Sequence, residues 1–142
     1  FDNTECFTTL LTGEYIDYRK ILPTSSLSEV KLRRDDFIGA IERASLMARE
    51  GKNNLLRLTL RDKEMTITAN AERGAALERL PGSYPYDEFK IAFNARYLSD
   101  VVRNVDTDEM CMRFNTNVSP CLIAPVDGNQ YTYLVLPVRV QN

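Results

Sequence analysis

The stretch IAFNARYLSDVVRNV, residues 91–105, predicts a strand that passes directly into a helix. Its first residues are apolar, and Asn94 is a favourable N-cap because its short polar side chain accepts hydrogen bonds from the first helical amides. The apolar residues that follow recur at helical spacing. They are Leu98, Val101, Val102 and Val105.

The stretch VKLRRDDFIGAIERA, residues 30–44, repeats this strand-to-helix order. Asp35 and Asp36 fall in the first helical turn, where the helix dipole favours negative charge. Gly51 marks the end of this predicted helix. The predicted apolar stripe consists of Phe37, Ile41, Ala44 and Ala48. Since further strand-like segments follow each helix, the sequence predicts an internal duplication.

Most of the remaining chain predicts short strands separated by turn residues. These strands are 29–33, 55–61, 65–69, 75–80, 88–93, 110–114, 120–124 and 131–138. Each half then supplies one helix and about four strands. We therefore expect an α+β fold of duplicated half-domains, in which two antiparallel sheets carry the two helices side by side on one flank.

The first residues fit neither half of this duplication. TECFTTLLTG, residues 4–13, predicts a lone strand, and EYIDYRKILPTSS, residues 14–26, predicts a linker that ends in proline and serine. We assign residues 1–24 to the tail of a preceding domain and its linker. Residues 25–142 then form the main domain.

The composition disfavours an enzyme. Histidine is absent, which removes the commonest general base and metal ligand. The carboxylates are scattered and no glycine-rich phosphate loop is present, so we expect no catalytic residue, metal or cofactor. Cys6, Cys111 and Cys121 are widely spaced and odd in number, which fits reduced thiols in the cytoplasm.

The charge and hydropathy limit the partners. The net charge is −2, so attraction to nucleic acid requires a locally basic face. No apolar stretch reaches the length that spans a membrane, and no leader is recognisable, so we expect neither a membrane helix nor a signal peptide.

The run YLVLPVRV, residues 133–140, has two interpretations. Its apolar, β-branched residues suit an ordinary core strand. However, Pro137 cannot donate a backbone hydrogen bond, so the strand cannot pair along its full length. An apolar run with an interrupted ladder also suits a site for a partner. Alternation alone leaves both interpretations open.

Four segments together resemble the bacterial sliding clamp family, the β subunit of DNA polymerase III. They are EYIDYRKILP (14–23), RASLMAREGKNNLLRL (43–58), IAFNARYLSDVV (91–102) and SPCLIAPVDGNQYTYLVLPVRV (119–140). The resemblance runs from about residue 7 onward. It implies that residues 25–142 are the third, C-terminal domain of a three-domain protomer, preceded by the end of the second domain. The clamp fold of this family consists of duplicated half-domains.

The resemblance also implies a function without catalysis. Two protomers would close into a homodimeric ring around duplex DNA and tether replication enzymes in the cytoplasm. Polymerases, the clamp loader and repair proteins would insert short peptide motifs into a hydrophobic cleft. By position, this cleft would include Ile16, Lys20, Ile21, Asn94, Tyr97, Val118, Leu134, Leu136, Pro137, Val138 and Arg139.

Two departures from the family pattern affect this cleft. Ile16 stands where a proline is usual, and Lys20 stands where an arginine is common. The far wall of the cleft belongs to earlier strands of the second domain. We therefore expect this chain to hold only part of the site.

The resemblance assigns two further surfaces. Leu46, Met47, Ala75 and Leu77 would contact the other protomer, with core packing as the alternative for Leu46 and Met47. The arginines that would face DNA are Arg33, Arg34, Arg43, Arg49, Arg96 and Arg103. Because acidic residues lie among these arginines, a merely solvated helix face is the alternative. The competing function is a stand-alone α+β domain that encloses a small ligand in one deep pocket.

Overall fold

A computed structural model describes residues 3–23, 28–50, 54–72, 74–85, 87–127 and 130–140. Gly51, the predicted helix stop, and the predicted domain boundary between residues 24 and 25 both lie outside these ranges. A 3-10 turn at Tyr18–Lys20 precedes the main elements. These are β1 (Ser28–Arg33), α1 (Arg34–Ala48), β2 (Leu55–Arg61), β3 (Glu64–Ala71), β4 (Gly74–Pro81), β5 (Phe89–Asn94), α2 (Ala95–Arg103), β6 (Glu109–Phe114), β7 (Cys121–Pro125) and β8 (Tyr133–Val135).

The strands form two four-stranded sheets in which neighbours are antiparallel. The first sheet has the order β1-β6-β7-β8, and the second has the order β4-β3-β2-β5. The first strand of each half pairs with the other half, β1 with β6 and β5 with β2. The two halves therefore have the same topology and are interlocked, which confirms the predicted fold of duplicated half-domains.

The core lies between the sheets and the helices. Along β2, Leu56, Leu58 and Leu60 are fully buried, whereas Arg57 and Thr59 between them are half-buried on the other face. The predicted apolar stripe of α1 joins the same core cluster through Phe37, Ile41, Ala44 and Ala48. The second sheet consequently packs one face against α1 and turns the other face outward.

The two helices lie beside each other and are linked by polar contacts. The Arg103 guanidinium donates to the Glu42 carboxylate over 2.8 Å, and Arg34 donates to the Arg103 carbonyl oxygen over 3.3 Å. Asn94 caps α2 as predicted, because its side-chain oxygen accepts from the Arg96 amide over 3.0 Å. These contacts fix where α2 begins and how it meets α1.

Two strand predictions are wrong. Residues 4–13 form no strand, and Leu10 and Leu11 are almost fully exposed, because no described strand lies beside this segment to pair with it. The last strand covers only Tyr133–Val135 instead of 131–138. It ends before Pro137, which cannot donate to a ladder.

Candidate functional site

The chain leaves the first sheet after β8 and reaches the second sheet. Val135 is buried with 4% exposure, whereas Leu136 is 64% exposed. Beyond Pro137, the Val138 amide donates to the carbonyl oxygen of Ala92 on β5 over 2.8 Å. The tail therefore lies across the junction of the two sheets with a large apolar side chain in solvent.

A groove of about 690 Å³ lies where this tail meets the second sheet. Its floor consists of side chains from the outer face of β2, β3 and β5, and its walls are the hairpin between β6 and β7 and the tail itself. The lining residues are Arg57, Thr59, Thr68, Lys90, Ile91, Ala92, Asn117, Val118, Val138, Arg139 and Val140.

Three residues predicted for the peptide cleft line this groove: Val118, Val138 and Arg139. Val118 is exposed at the tip of its hairpin, and Val138 is half-buried against β5. Sequence reasoning missed Arg57, Thr59, Thr68 and Lys90 as neighbours of these three. The alternation along β2 was the available signal, since it places Arg57 and Thr59 on the face opposite the buried leucines.

The other predicted cleft residues do not line the groove. Leu134 is half-buried on β8 opposite Leu122 of β7, and Leu136 and Pro137 follow it. Asn94 and Tyr97 lie at the start of α2, where the Tyr97 side chain is exposed.

Ile16, Lys20 and Ile21 lie in the linker. Ile16 and Ile21 are exposed, and the Lys20 ammonium is 3.4 Å from the Asp17 carboxylate. The full set of cleft residues therefore remains a prediction.

The groove has a basic rim. The Lys90 ammonium lies 2.5 Å from the Glu88 carboxylate. Hydrogen bonds from Lys90 and Arg61 lower the pKa of Glu88. Arg57 and Arg139 form no ion pair with any described carboxylate. Positive charge in this groove is consequently not fully balanced.

The predicted protomer surface lies on α1 and β4. β4 is the edge strand of the second sheet, and Ala75 and Leu77 on it are exposed. Leu46 is exposed on α1, whereas Met47 is partly buried against the core. Glu78 lies on the opposite face of β4 from Ala75 and Leu77. It accepts a 2.7 Å hydrogen bond from Arg43, and this contact raises the pKa of the Arg43 guanidinium.

Most of the arginines predicted to face DNA already have carboxylate partners. The pairs are Arg33 with Asp36, Arg34 with Asp35, Arg43 with Glu78, Arg96 with Asp100 and Arg103 with Glu42. Arg49, just after α1, has no ion pair within the described part of the chain. The helix face therefore carries mixed charge, which suits weak and sequence-independent contacts at most.

The described residues contain no group of three or more cysteine, aspartate or glutamate side chains arranged to hold a metal ion. No described helix is long and apolar enough to cross a membrane.

Residues 19–139 match the family described as DNA polymerase III beta subunit, C-terminal domain. The chain belongs to the sliding clamp family. It is 31% identical over 139 residues to the beta sliding clamp of Staphylococcus epidermidis. The aligned region covers 96% of this chain and 37% of that protein. Family membership agrees with the prediction that the chain is not an enzyme.

Solved sliding clamps have the same fold. The clamp of Pseudomonas aeruginosa superposes with a TM-score of 0.87 at 26% identity, over 94% of this chain and 37% of that chain. A sliding clamp from Bartonella birtlesii bound to griselimycin superposes with a TM-score of 0.85 at 27% identity, over 92% of this chain and 35% of that chain. The chain thus spans a little over a third of the clamps it matches.

Proposed function

We propose that this chain is the part of a DNA sliding clamp that receives short peptide motifs from replication proteins. The observation that carries the proposal is the course of the chain after β8. Leu136 is 64% exposed directly after the buried Val135, and the next residues hydrogen-bond to β5 through Val138. An apolar side chain held in solvent by a fixed backbone suits an anchor pocket for a peptide.

Four other residues of the predicted cleft have exposed side chains that suit this role. Val118 offers a second exposed apolar side chain, and Tyr97 offers an aromatic ring at the start of α2. Ile16 and Ile21 of the linker are also exposed. In this proposal, these side chains become one wall of a cleft, and the wall opposite belongs to the second domain of the complete clamp. The relative bound to griselimycin supports a ligand site on this fold.

The proposal includes the ring of the complete protein. β4 has an unpaired edge within the described residues, with Leu77 exposed on it, and an edge of this kind favours pairing with another chain. Two complete protomers would join there and enclose duplex DNA in the cytoplasm, with α1 and α2 toward the channel. This chain alone should be monomeric or weakly dimeric, and a stable closed ring of the chain in light scattering would contradict the interface.

The direct test is titration of a short clamp-binding peptide, with amide NMR shifts as the readout. We expect saturable shifts at Ile21, Tyr97 and Val118 and along residues 134–136 and 138–139. In Leu136→Ala these shifts should need about tenfold or more peptide to reach the same size, because the exposed anchor is removed. Lys63→Gln, at the turn between β2 and β3, is a matched control on an exposed residue outside the site.

The same titration is repeated with the complete clamp. Shifts only in the complete protein would show that the second-domain wall is required for measurable affinity. Absence of shifts at these residues in both proteins would overturn the peptide-binding proposal.

A further inference from the structure

The groove on the outer face of the second sheet extends beyond the predicted peptide cleft. Val118, Val138 and Arg139 belong to both, so the two surfaces are continuous. The extension is formed by Arg57 and Thr59 on β2 and by Lys90 on β5. A peptide that leaves the cleft past Val138 would enter this groove.

The charge of the groove selects its ligand. Among the described residues that line it, every charged side chain is basic: Arg57, Lys90 and Arg139. Glu88 pairs with Lys90 and also with Arg61, whereas no described carboxylate pairs with Arg57 or Arg139. Most other described arginines do pair with a carboxylate, although the whole chain has a net charge of −2. Such a local excess of positive charge favours an acidic ligand.

The position of the groove favours a peptide over a nucleic acid. Arg57 and Thr59 alternate with Leu56, Leu58 and Leu60, whose side chains pack in the same core as α1. The groove therefore lies on the opposite face of the sheet from the helices, which in the proposed ring face DNA. Its walls also include the apolar side chains of Val118 and Val138, which suit a peptide better than a phosphate backbone.

We propose that this groove binds the acidic residues that flank the apolar anchors of the partner peptides, with Arg57 and Arg139 pairing with their carboxylates. The inference rests on the proposed function, since it concerns the same peptides. It adds a selectivity rule: among peptides with equal apolar anchors, those with neighbouring aspartate or glutamate bind more tightly. Arginine suits this role because its guanidinium can hold a carboxylate with two hydrogen bonds.

The test compares two synthetic peptides that share the same leucine and phenylalanine anchors. One carries aspartates on both flanks, and the other carries asparagines at the same positions. Calorimetric titration of the unmodified chain should show about fivefold tighter binding of the aspartate peptide, as expected for two weak, largely screened ion pairs. Raising the salt concentration should reduce this ratio.

Arg57→Gln should clearly reduce the ratio, mainly by weakening binding of the aspartate peptide, while Arg139 keeps its own contribution. Arg57 is the informative position, since Arg139 also belongs to the predicted cleft. Lys63→Gln removes the same charge from an exposed turn outside the groove and should keep the fivefold ratio. If Arg57→Gln does not fold, amide shifts at Thr59, Thr68 and Lys90 with the aspartate peptide alone serve as the readout.

The outcomes separate the two proposals. Equal binding of both peptides to the unmodified chain would overturn the inference and leave the proposed function standing. Binding of neither peptide to this chain or to the complete clamp would overturn both. A short DNA duplex that binds the unmodified chain several-fold more tightly than Arg57→Gln, and displaces the aspartate peptide, would assign the groove to nucleic acid and overturn the inference.

Discussion

The Val138 amide and the Ala92 carbonyl oxygen are 2.8 Å apart and join the two sheets of the domain by a hydrogen bond. Val138 follows β8 of the first sheet, and Ala92 lies on β5 at the edge of the second. Pro137 interrupts the ladder of the first sheet just before this bond. The backbone of the tail is therefore held at both ends, while the side chain between them at Leu136 stays exposed.

Leu136→Ala should separate binding from stability. Because Leu136 is mostly exposed, its truncation should change the free energy of unfolding by no more than about 0.5 kcal/mol. Peptide binding should weaken by about tenfold or more, as for a central anchor. The measurements are urea unfolding and peptide titration. Val135→Ala is the contrasting variant, since the buried Val135 should cost about 2 kcal/mol of stability.

Leu58→Ala and Leu77→Ala test the predicted difference between core and edge. Leu58 is completely buried on β2, and Leu77 is 53% exposed on β4. Leu58→Ala should lower the free energy of unfolding by about 2–5 kcal/mol because it leaves a cavity. Leu77→Ala should cost less than about 1 kcal/mol in urea unfolding of this chain. Equal losses would show that β4 is packed against another chain in solution.

The duplicated fold was predictable because its signals are local. The stretch 91–105 contains its own cap and apolar stripe, and the structure places a strand, Asn94 as the cap and α2 within it. The pairing of β1 with β6 and of β5 with β2 was not predicted from pattern, since periodicity carries no information about which strands are neighbours.

The sequence pattern also does not show which segments lie next to each other, and this limited the prediction of the last strands and of the site. Segment 4–13 has strand-like residues but no described partner, so composition alone overpredicted it. In the last strand, the apolar run continues past Val135, but the hydrogen bonds do not. Arg57 and Lys90 reach the groove only because β2 and β5 are neighbours, so the groove depends on long-range pairing that the sequence pattern does not show.

Asn94→Ala should destabilise the domain through the N-terminus of α2. The Asn94 side chain accepts a hydrogen bond from the Arg96 amide, which has no carbonyl partner within the helix. Loss of this cap should lower the free energy of unfolding by about 1 kcal/mol. Asn94→Asp keeps an acceptor and should retain most of the stability in urea unfolding. An Asp variant as unstable as the Ala variant would contradict a capping role.

The three cysteines should differ in reactivity with a thiol reagent such as dithionitrobenzoate. Cys6 is exposed, whereas Cys111 and Cys121 are buried. Burial raises the pKa of both buried thiols, which lowers the thiolate fraction that reacts. The folded chain should therefore show fast reaction at Cys6 alone and full reaction in denaturant. Cys6→Ser should abolish the fast phase, and a fast phase that persists in this variant would contradict the burial of the other two.

Tyr84 should make the domain less stable at alkaline pH. Its hydroxyl is buried and donates to the Leu80 carbonyl oxygen over 3.2 Å, and burial raises the pKa of Tyr84 from 10.0 to about 12. Above the unfolded pKa, the unfolded chain releases this proton while the folded chain retains it. The contribution is therefore fully present below pH of about 10 and is lost as the pH rises to about 12.

The expected loss attributable to Tyr84 over this interval is roughly 2 kcal/mol. It is measured as the change in the free energy of urea unfolding between the two pH values, in the unmodified chain and in Tyr84→Phe. The other tyrosines, including Tyr131 with its own raised pKa, are common to both proteins and cancel in the comparison. Tyr84→Phe should lose the hydrogen bond to Leu80 at every pH but show a shallower alkaline decline. Parallel declines in the two proteins would mean that the Tyr84 hydroxyl ionises as readily in the folded chain as in the unfolded one.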